Sequence, residues 1–196
     1  MSEEVEETDA QTSTEGQQGG GAYFSSPQPK KGFISSGCRL LDCALGGGYP
    51  VGRIVNVVGE KSTGKSLLAI EATANFAFNY PNGKIWYKES EAAFDEAYAE
   101  SLGMPLDRVD FGNSKDFFTV EDIFNDMQEC IKNLGKDQHG LYILDSLDAL
   151  SDKAEQERGI DEGTYGAAKA KKMSELFRRL VKQIETKNIT VIIISQ

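Results

Sequence analysis

The chain has 196 residues, of which 39% are hydrophobic and 27% are charged, and its formal net charge at pH 7 is −10. This length suits one sizeable domain, and the sequence has no apolar run of the roughly 20 residues that a membrane-spanning helix needs. The acidic N-terminus, MSEEVEETDA, also lacks the apolar stretch of a secretory signal. Three cysteines without a CxxC pair indicate reduced thiols, and we expect a cytoplasmic protein without a membrane partner or a cysteine metal site.

Residues 1–31 differ in composition from the rest of the chain. Six acidic residues precede Lys30, the first basic residue, and Ser, Thr, Gln and Gly are frequent between them. A segment with so little apolar surface cannot offset the conformational entropy that ordering would cost. We therefore expect residues 1–31 to form a disordered acidic tail and residues 32–196 to form the folded domain, with the net charge reflecting solubility more than a partner.

From Gly32 onward, candidate strands alternate with candidate helices. After a segment that mixes apolar residues with the turn GGGYPVG, strands are expected at 53–58, 84–89, 108–112, 141–146 and 190–195. Apolar periodicity predicts helices between them, at 66–80, 94–104, 120–135 and 169–188. Strands that alternate with helices are typical of βαβ units. The sequence therefore predicts an α/β fold with a mostly parallel sheet flanked by helices.

The segment GEKSTGKS, residues 59–66, matches the phosphate-loop pattern G-x-x-x-x-G-K-[ST] completely, and it joins a candidate strand to a candidate helix. The two glycines let the loop amides turn inward, and the helix N-terminus adds partial positive charge. In this pattern Lys65 reaches the β and γ phosphates, while the hydroxyl of Ser66 is offered to Mg²⁺. The predicted phosphate-binding residues are Gly59, Glu60, Lys61, Ser62, Thr63, Gly64, Lys65 and Ser66.

A buried strand that ends in a carboxylate supplies the second half of the predicted site. In LYILDS, residues 141–146, four apolar residues lead to Asp145, at the strand tip where open α/β sheets bind ligands. From there Asp145 can hold Mg²⁺ beside Ser66. The alternative is that Asp145 caps the following turn, and Asp148 has the character of a turn or helix-start residue.

An acidic segment after the second main strand offers a base for activating water. KESEAAFDEAYAESLG places Glu89 and Glu91 just past a strand end, where a carboxylate could orient and deprotonate an attacking water. Their spacing alone does not choose between the two. The alternative for each is a solvated charge on a loop.

These segments, taken together, resemble the RecA family of ATP-dependent DNA recombinases from about Gly32 to Gln196. The resemblance lies in ISSGCRLLDCALGGGYPVGRIVNVVGEKSTGKS, in KESEAAFDEAYAESLG, in LYILDSLDALSDKAEQERG and in the terminal VIIISQ. It implies a RecA-like P-loop ATPase core that uses ATP and Mg²⁺. It also implies that Glu91 is the catalytic glutamate, that Asp95 and Tyr98 contact the adenine, and that Gln196 senses the γ-phosphate and acts in catalysis with Lys65.

The same resemblance implies a function in DNA recombination and repair. Members of the family form a helical filament on single-stranded DNA, pair it with a homologous duplex and hydrolyse ATP in response to DNA. In the family a second DNA-binding loop begins near the position of Gln196, so we expect a core that is incomplete at its C-terminus. Whether this chain is active by itself is left open.

One segment of the chain has features expected for contact with DNA. EQERGIDEGTYGAAKAKKMSELFRRL combines a glycine-punctuated loop with a basic helix, and basic residues beside an aromatic ring can hold phosphates and touch a base. The candidate residues are Tyr165, Lys169, Lys171 and Arg178. The alternative is a solvated helix face, with Tyr165 packed in the core and the acidic residues of the loop opposing strong binding.

Two other functions are compatible with these motifs. A RecA-fold helicase or a ring-forming regulatory ATPase would share the phosphate loop and the strand that ends in Asp145. A truncated nucleotide-binding remnant would keep the phosphate loop without exchanging DNA strands.

Overall fold

The computed structural model describes residues 32–112, 119–151 and 166–196, with the side chains of the last range described from residue 170 onward. A short antiparallel pair comes first, β1 (Phe33–Ile34) and β2 (Tyr49–Pro50), with the helix α1 (Arg39–Ala44) between them. The main sheet contains β3 (Ile54–Val58), β4 (Lys84–Glu89), β5 (Val109–Asp110), β6 (Gly140–Asp145) and β7 (Ile189–Ser195). The other helices are α2 (Lys65–Asn79), α3 (Glu96–Ser101), α4 (Val120–Asn133) and α5 (Gly166–Thr186).

The main sheet has the strand order β3-β7-β6-β4-β5, and the pairings among its described strands are all parallel. Every residue of β6 and β7 is buried, as expected for strands with helices on both faces. Glu89 at the end of β4 lies opposite Asp145 at the end of β6. The segments that follow these strands therefore meet at one edge of the sheet. The predicted α/β fold with a mostly parallel sheet is confirmed.

Each face of the sheet has its own apolar core. On one face, Phe76 of α2 belongs to a cluster with Tyr87 and Ile143. On the other face, α4 and α5 belong to a cluster with Tyr142 of β6. Because neighbouring residues of β6 point to opposite faces, one strand serves both cores. Full burial of one such large side chain stabilises the fold by about 1.5–3 kcal/mol.

Helix α2, which begins at the phosphate loop, is held at its far end by an arginine. The guanidinium of Arg108 donates hydrogen bonds to the carbonyl oxygens of Ala77 at 2.9 Å, Tyr80 at 3.1 Å and Pro81 at 2.9 Å. These carbonyls lack partners within the helix, and a cation near them also offsets the negative end of the helix dipole. Arg108 thus helps to fix the helix that presents Ser66.

The segment before the phosphate loop contains β1, α1 and β2, which the sequence pattern did not predict. They depend on Asp42, whose carboxylate accepts hydrogen bonds from the Ser35 hydroxyl at 2.6 Å and from the Ser36 amide and hydroxyl at 2.8 and 2.6 Å. Gly48 has a φ of +114°, and a Cβ added there would lie 2.4 Å from the carbonyl oxygen of Ile34. Two-residue strands and side-chain clamps leave no periodic pattern, so the sequence analysis missed them.

The other predicted elements are present, with shifted ends. The helix expected at 94–104 is limited to α3, because Asp95 is its N-cap residue, and the strand expected at 108–112 is reduced to the two residues of β5. No helix in the described part of the chain has the length and apolar character needed to cross a membrane. The predicted division at residues 31 and 32 remains a prediction.

Candidate functional site

Residues 59–66 join β3 to α2 and form a tight loop at the carboxyl edge of the sheet. Gly64, the N-cap residue of α2, has a φ of +88°, in the left-handed region. Only glycine adopts this conformation at little cost, which explains the second invariant position of the motif pattern. Gly64 has no side chain to cap the helix, so the first amides of α2 are available to an anion.

Lys65 is the cation of this loop. Its ammonium group donates hydrogen bonds to the carbonyl oxygens of Gly59 at 2.8 Å and Glu60 at 2.7 Å. The hydroxyl of Thr63 donates to the same Glu60 carbonyl at 2.8 Å. The loop is thereby closed on itself, with a positive charge and the helix N-terminus on one side. A loop of this form can bind phosphate.

Asp145 lies where the sequence analysis placed it, at the tip of β6, and is only 8% exposed. Its carboxylate accepts a hydrogen bond from the hydroxyl of Tyr87 at 2.9 Å. Burial raises the pKa of Asp145, and the side chains of Ser66 and Tyr87 act in the opposite direction. The two predicted magnesium ligands, Ser66 and Asp145, line the same clefts.

A cleft of about 300 Å³ opens over the phosphate loop. Its lining includes Lys65, Ser66, Glu91, Asp145 and Gln196. A second cleft of about 150 Å³ shares Ser66, Glu91 and Asp145 with the first. The structure thus places the predicted phosphate, magnesium, base and γ-phosphate residues around connected concave surfaces.

The two candidate bases occupy different environments. The carboxylate of Glu89 accepts hydrogen bonds from three backbone amides, those of Glu91 at 2.9 Å, Ala92 at 2.8 Å and Ala93 at 3.1 Å. Glu91 instead accepts a hydrogen bond at its Oε1 from the hydroxyl of Ser146, at 2.7 Å. Glu89 fixes the turn and lines only the second cleft, whereas Glu91 lines both clefts.

The second cleft contains both residues that the resemblance assigns to the adenine. Asp95 accepts a hydrogen bond from the backbone amide of Tyr98 at 2.9 Å and so caps α3. Tyr98 is 47% exposed, and both residues line this cleft. A half-exposed aromatic ring can stack on a base. A carboxylate beside the ring can accept a hydrogen bond from an amino group of that base.

Gln196 follows the last residue of β7 and lines the larger cleft. Its backbone amide donates a hydrogen bond to Oδ2 of Asp148 at 2.6 Å. One residue earlier, the hydroxyl of Ser195 donates to the side-chain oxygen of Asn56 at 2.9 Å. The end of β7 is thereby fixed to segments on both sides. Asp148 lies in the turn after Asp145, as its sequence context predicted.

The candidate DNA-binding residues are only partly described. Tyr165 and the side chain of Lys169 lie outside the described residues. Lys171 and Arg178 are both exposed on α5, and residues seven apart share one face of a helix. Lys182, which the sequence analysis did not single out, is exposed on the same face.

Two neighbouring basic residues of α5 are paired with carboxylates. Lys172 forms a salt bridge with Glu121 of α4, and Arg179 forms one with Glu175 within its own helix. These pairs reduce the charge that the helix can offer to a phosphate backbone. The pair of Arg179 with Glu175 follows from their spacing of four residues in one helix, whereas spacing could not reveal the pair of Lys172 with Glu121, which lies on a separate helix.

Two further contacts of the site went unrecognised in the sequence. Tyr87 lies inside the apolar strand KIWYKE, where a buried tyrosine gives no signal of contact with Asp145. Ser146 directly follows Asp145 and could have been noted for its hydroxyl at a strand tip. Within residues 32–112, 119–151 and 166–196, no group of three or more His, Cys, Asp or Glu residues could hold a metal ion. Mg²⁺ commonly retains waters and shares phosphate oxygens, which fits a site with one carboxylate and one hydroxyl.

A phosphate loop between the parallel strand β3 and a helix, faced by an aspartate at the tip of β6, one strand beyond the neighbouring β7, defines an α/β protein of the P-loop class. The family model described as the RecA N-terminal domain matches residues 15–196. The chain therefore belongs to the RecA family.

Comparison with curated proteins gives relatives of the same family. The chain is 33% identical over 163 residues to Protein RecA of Prochlorococcus marinus strain NATL1A, covering 83% of this chain and 41% of the relative. It is 34% identical over 164 residues to a plasmid-encoded Protein RecA of Lactococcus lactis subsp. lactis, covering 83% of this chain and 45% of that protein. The chain thus spans less than half the length of these relatives.

Proposed function

We propose that this chain binds ATP together with Mg²⁺ and forms the ATPase core of a DNA-dependent recombinase. The observation that carries the proposal is the convergence of the phosphate loop, Asp145 and Glu91 on one cleft. Membership of the RecA family supports DNA recombination and repair as the setting. Strand exchange between single-stranded DNA and a homologous duplex is the reaction that we assign to the protein in its filament.

The phosphate loop holds the triphosphate. The amides at the start of α2 donate to phosphate oxygens, and Lys65 balances the charge of the β and γ phosphates. Ser66 and Asp145 are the residues that would hold Mg²⁺, since they line the same cleft and supply the oxygen ligands that this ion prefers. Bound Mg²⁺ would neutralise phosphate charge during transfer.

Glu91 acts as the base in this proposal. It lines the cleft beside the phosphate loop, and a carboxylate there can orient a water molecule and accept its proton. Glu89 is a weaker candidate, because three backbone amides donate to its carboxylate. Gln196 lines the same cleft. In this proposal its side chain contacts and so senses the γ-phosphate.

The adenine and the DNA are assigned to different parts of the chain. Asp95 and Tyr98 line the second cleft and would contact the base. Lys171 and Arg178 would contact DNA phosphates, with Tyr165 and Lys169 assigned to DNA from the sequence. The family match favours a recombinase filament over a helicase or a ring-forming ATPase.

ATP turnover by the purified chain, measured with and without single-stranded DNA, tests this proposal. Turnover that rises with DNA and disappears in Glu91→Gln supports a DNA-dependent ATPase. ATP binding without turnover under both conditions would indicate a nucleotide-binding remnant. Ring-shaped particles in electron micrographs, in place of filaments on DNA, would favour the ring-forming ATPase.

A further inference from the structure

The side chain of Glu91 is held by a residue from the neighbouring strand. The hydroxyl of Ser146 donates a hydrogen bond to Oε1 of Glu91 at 2.7 Å. Ser146 follows Asp145 at the end of β6, whereas Glu91 lies on the loop after β4. This contact therefore joins two segments that lie far apart in the sequence. It lies at the edge of the sheet where both clefts open.

The donor is fixed much more firmly than the acceptor. Ser146 is only 1% exposed, and its backbone is hydrogen-bonded in both directions to Ser90. The Ser146 amide donates to the Ser90 hydroxyl at 2.9 Å, and that hydroxyl donates to the Ser146 carbonyl at 2.5 Å. Glu91 belongs to an exposed loop. A rigid donor thus restricts the rotamers of a carboxylate that would otherwise move in solvent.

The backbone of Glu91 is also restrained, by a different residue. Ala92, the next residue, has a φ of +53°. This is a left-handed backbone conformation that residues other than glycine adopt at a cost in free energy. Glu89 stabilises this turn by accepting hydrogen bonds from the amides on both sides of it. With the backbone held by Glu89, the hydroxyl of Ser146 is the contact that determines where the carboxylate points.

We propose that Ser146 is a positioning residue for the hydrolysis reaction. Its hydroxyl holds one oxygen of Glu91 and directs the other oxygen towards the cleft over the phosphate loop. This inference rests on the proposed function, in which Glu91 orients the attacking water. Ser146 acts through Glu91 and touches neither the phosphates nor the water in this account.

The proposal separates two kinds of nucleotide binding. ADP with Mg²⁺ uses the phosphate loop and Asp145, and it should not depend on the direction of Glu91. ADP with Mg²⁺ and aluminium fluoride imitates phosphoryl transfer with an in-line water, so its affinity should depend on a correctly placed base. Misplacement of a reacting group by about 1 Å can cost about 100-fold.

The test compares the affinities of fluorescently labelled ADP·Mg²⁺, with and without aluminium fluoride, for the unmodified chain and for Ser146→Ala. We expect Ser146→Ala to weaken the aluminium fluoride complex about 10-fold or more and to change ADP·Mg²⁺ affinity by less than about twofold. Thr190→Val is the matched control, since its hydroxyl is also buried but lies at the opposite end of β7, where it accepts a hydrogen bond from the Gly52 amide. It should leave both affinities unchanged.

A double-mutant cycle with Glu91→Ala shows whether Ser146 acts through the carboxylate. In the Glu91→Ala background, Ser146→Ala should have no additional effect on the aluminium fluoride complex. Equal weakening of both complexes, or an additional effect in that background, would overturn the positioning role while leaving the proposed function intact. Failure of the unmodified chain to bind either complex would overturn the proposed function and this inference with it.

Discussion

Tyr87 of β4 donates its hydroxyl hydrogen to Oδ2 of Asp145 on the adjacent strand β6, over 2.9 Å. Tyr87 is fully buried, and burial together with the nearby Asp145 charge raises its pKa well above the ordinary value. The phenol therefore remains a proton donor at physiological pH. This hydrogen bond fixes the orientation of the carboxylate that we assign to Mg²⁺.

Removing this hydroxyl should weaken the dependence of nucleotide binding on Mg²⁺. In Tyr87→Phe we expect the Mg²⁺ concentration for half-maximal ATP binding to rise about threefold or more, with a loss of about 1 kcal/mol in the free energy of unfolding. Tyr142→Phe is a matched control, because Tyr142 is equally buried but donates to Asp126. It should lose similar stability without a change in Mg²⁺ dependence. Equal shifts in both variants would contradict the role of Tyr87.

The raised pKa of Asp145 predicts that, near pH 7, its carboxylate lowers the stability of the nucleotide-free chain while remaining available to Mg²⁺. Burial raises this pKa above the ordinary value of 3.8, so the folded state favours the protonated form. The stabilisation that comes from this protonation is complete below the ordinary pKa of an aspartate. It is lost as pH rises through the pKa that Asp145 has in the folded state. Asp145→Asn should therefore stabilise the nucleotide-free chain near pH 7.

Thermal unfolding measured between pH 3.5 and 8 checks this sign. The stabilisation by Asp145→Asn should shrink as pH falls and be absent below about pH 3.8. Mg²⁺·ATP should stabilise the unmodified chain near pH 7, by linkage of binding to folding, and stabilise Asp145→Asn less. A destabilised Asp145→Asn at neutral pH would show that the carboxylate has a structural role, such as the cap considered from the sequence.

Lys88 is a buried lysine on the face of the sheet that packs against α4 and α5, and its carboxylate partners Asp110 and Asp126 are 59% and 21% exposed. It is only 2% exposed, and its ammonium lies 3.7 Å from carboxylate oxygens of both Asp110 and Asp126. Removal of the lysine leaves Asp126 partly buried without its cation, whereas water solvates the more exposed Asp110. We expect Lys88→Met to destabilise the fold by about 1 kcal/mol in urea denaturation. Adding Asp126→Asn should restore part of the loss, and no recovery would show that packing of the lysine stem dominates.

The exposed basic face of α5 predicts a change in the salt dependence of DNA binding. Loss of Lys171 and Arg178 together should make the slope of log affinity against log salt less negative by about 1.4, at about 0.7 for each phosphate contact on single strands. Lys84→Ala with Lys132→Ala is the control, because both lysines are exposed and lie on other elements. Equal slopes for the two double variants would show that Lys171 and Arg178 lie on a solvated helix face and do not contact DNA phosphates.

The sequence predicted those features that depend on local motif and on strand direction. The phosphate loop is a local pattern, and Ser66 and Asp145 line one cleft because parallel strands end at one edge of the sheet. The choice between Glu89 and Glu91 could not be made from spacing, since both follow the same strand end. Their different environments arise from the left-handed turn at Ala92 and from a hydroxyl on another strand.

The features that the sequence did not predict are side-chain contacts between distant segments. The Asp42 clamp, which supports two strands of two residues each, has no periodic signal. The salt bridge of Lys172 with Glu121 joins separate helices, and the partners of Lys88 lie on β5 and α4. Such contacts form only when folding brings distant elements together. No local pattern in the sequence therefore indicates them.

The central claim is that the loop at 59–66 and Asp145 enclose the terminal phosphates of ATP with Mg²⁺. A titration of the purified chain with fluorescently labelled ATP, with and without Mg²⁺, tests it most directly when repeated on Lys65→Ala and on the exposed-loop control Lys136→Ala. We predict Mg²⁺-dependent binding that weakens about 10- to 100-fold in Lys65→Ala and is unchanged in Lys136→Ala. Binding that ignores Mg²⁺ and has the same affinity in all three proteins would contradict the claim.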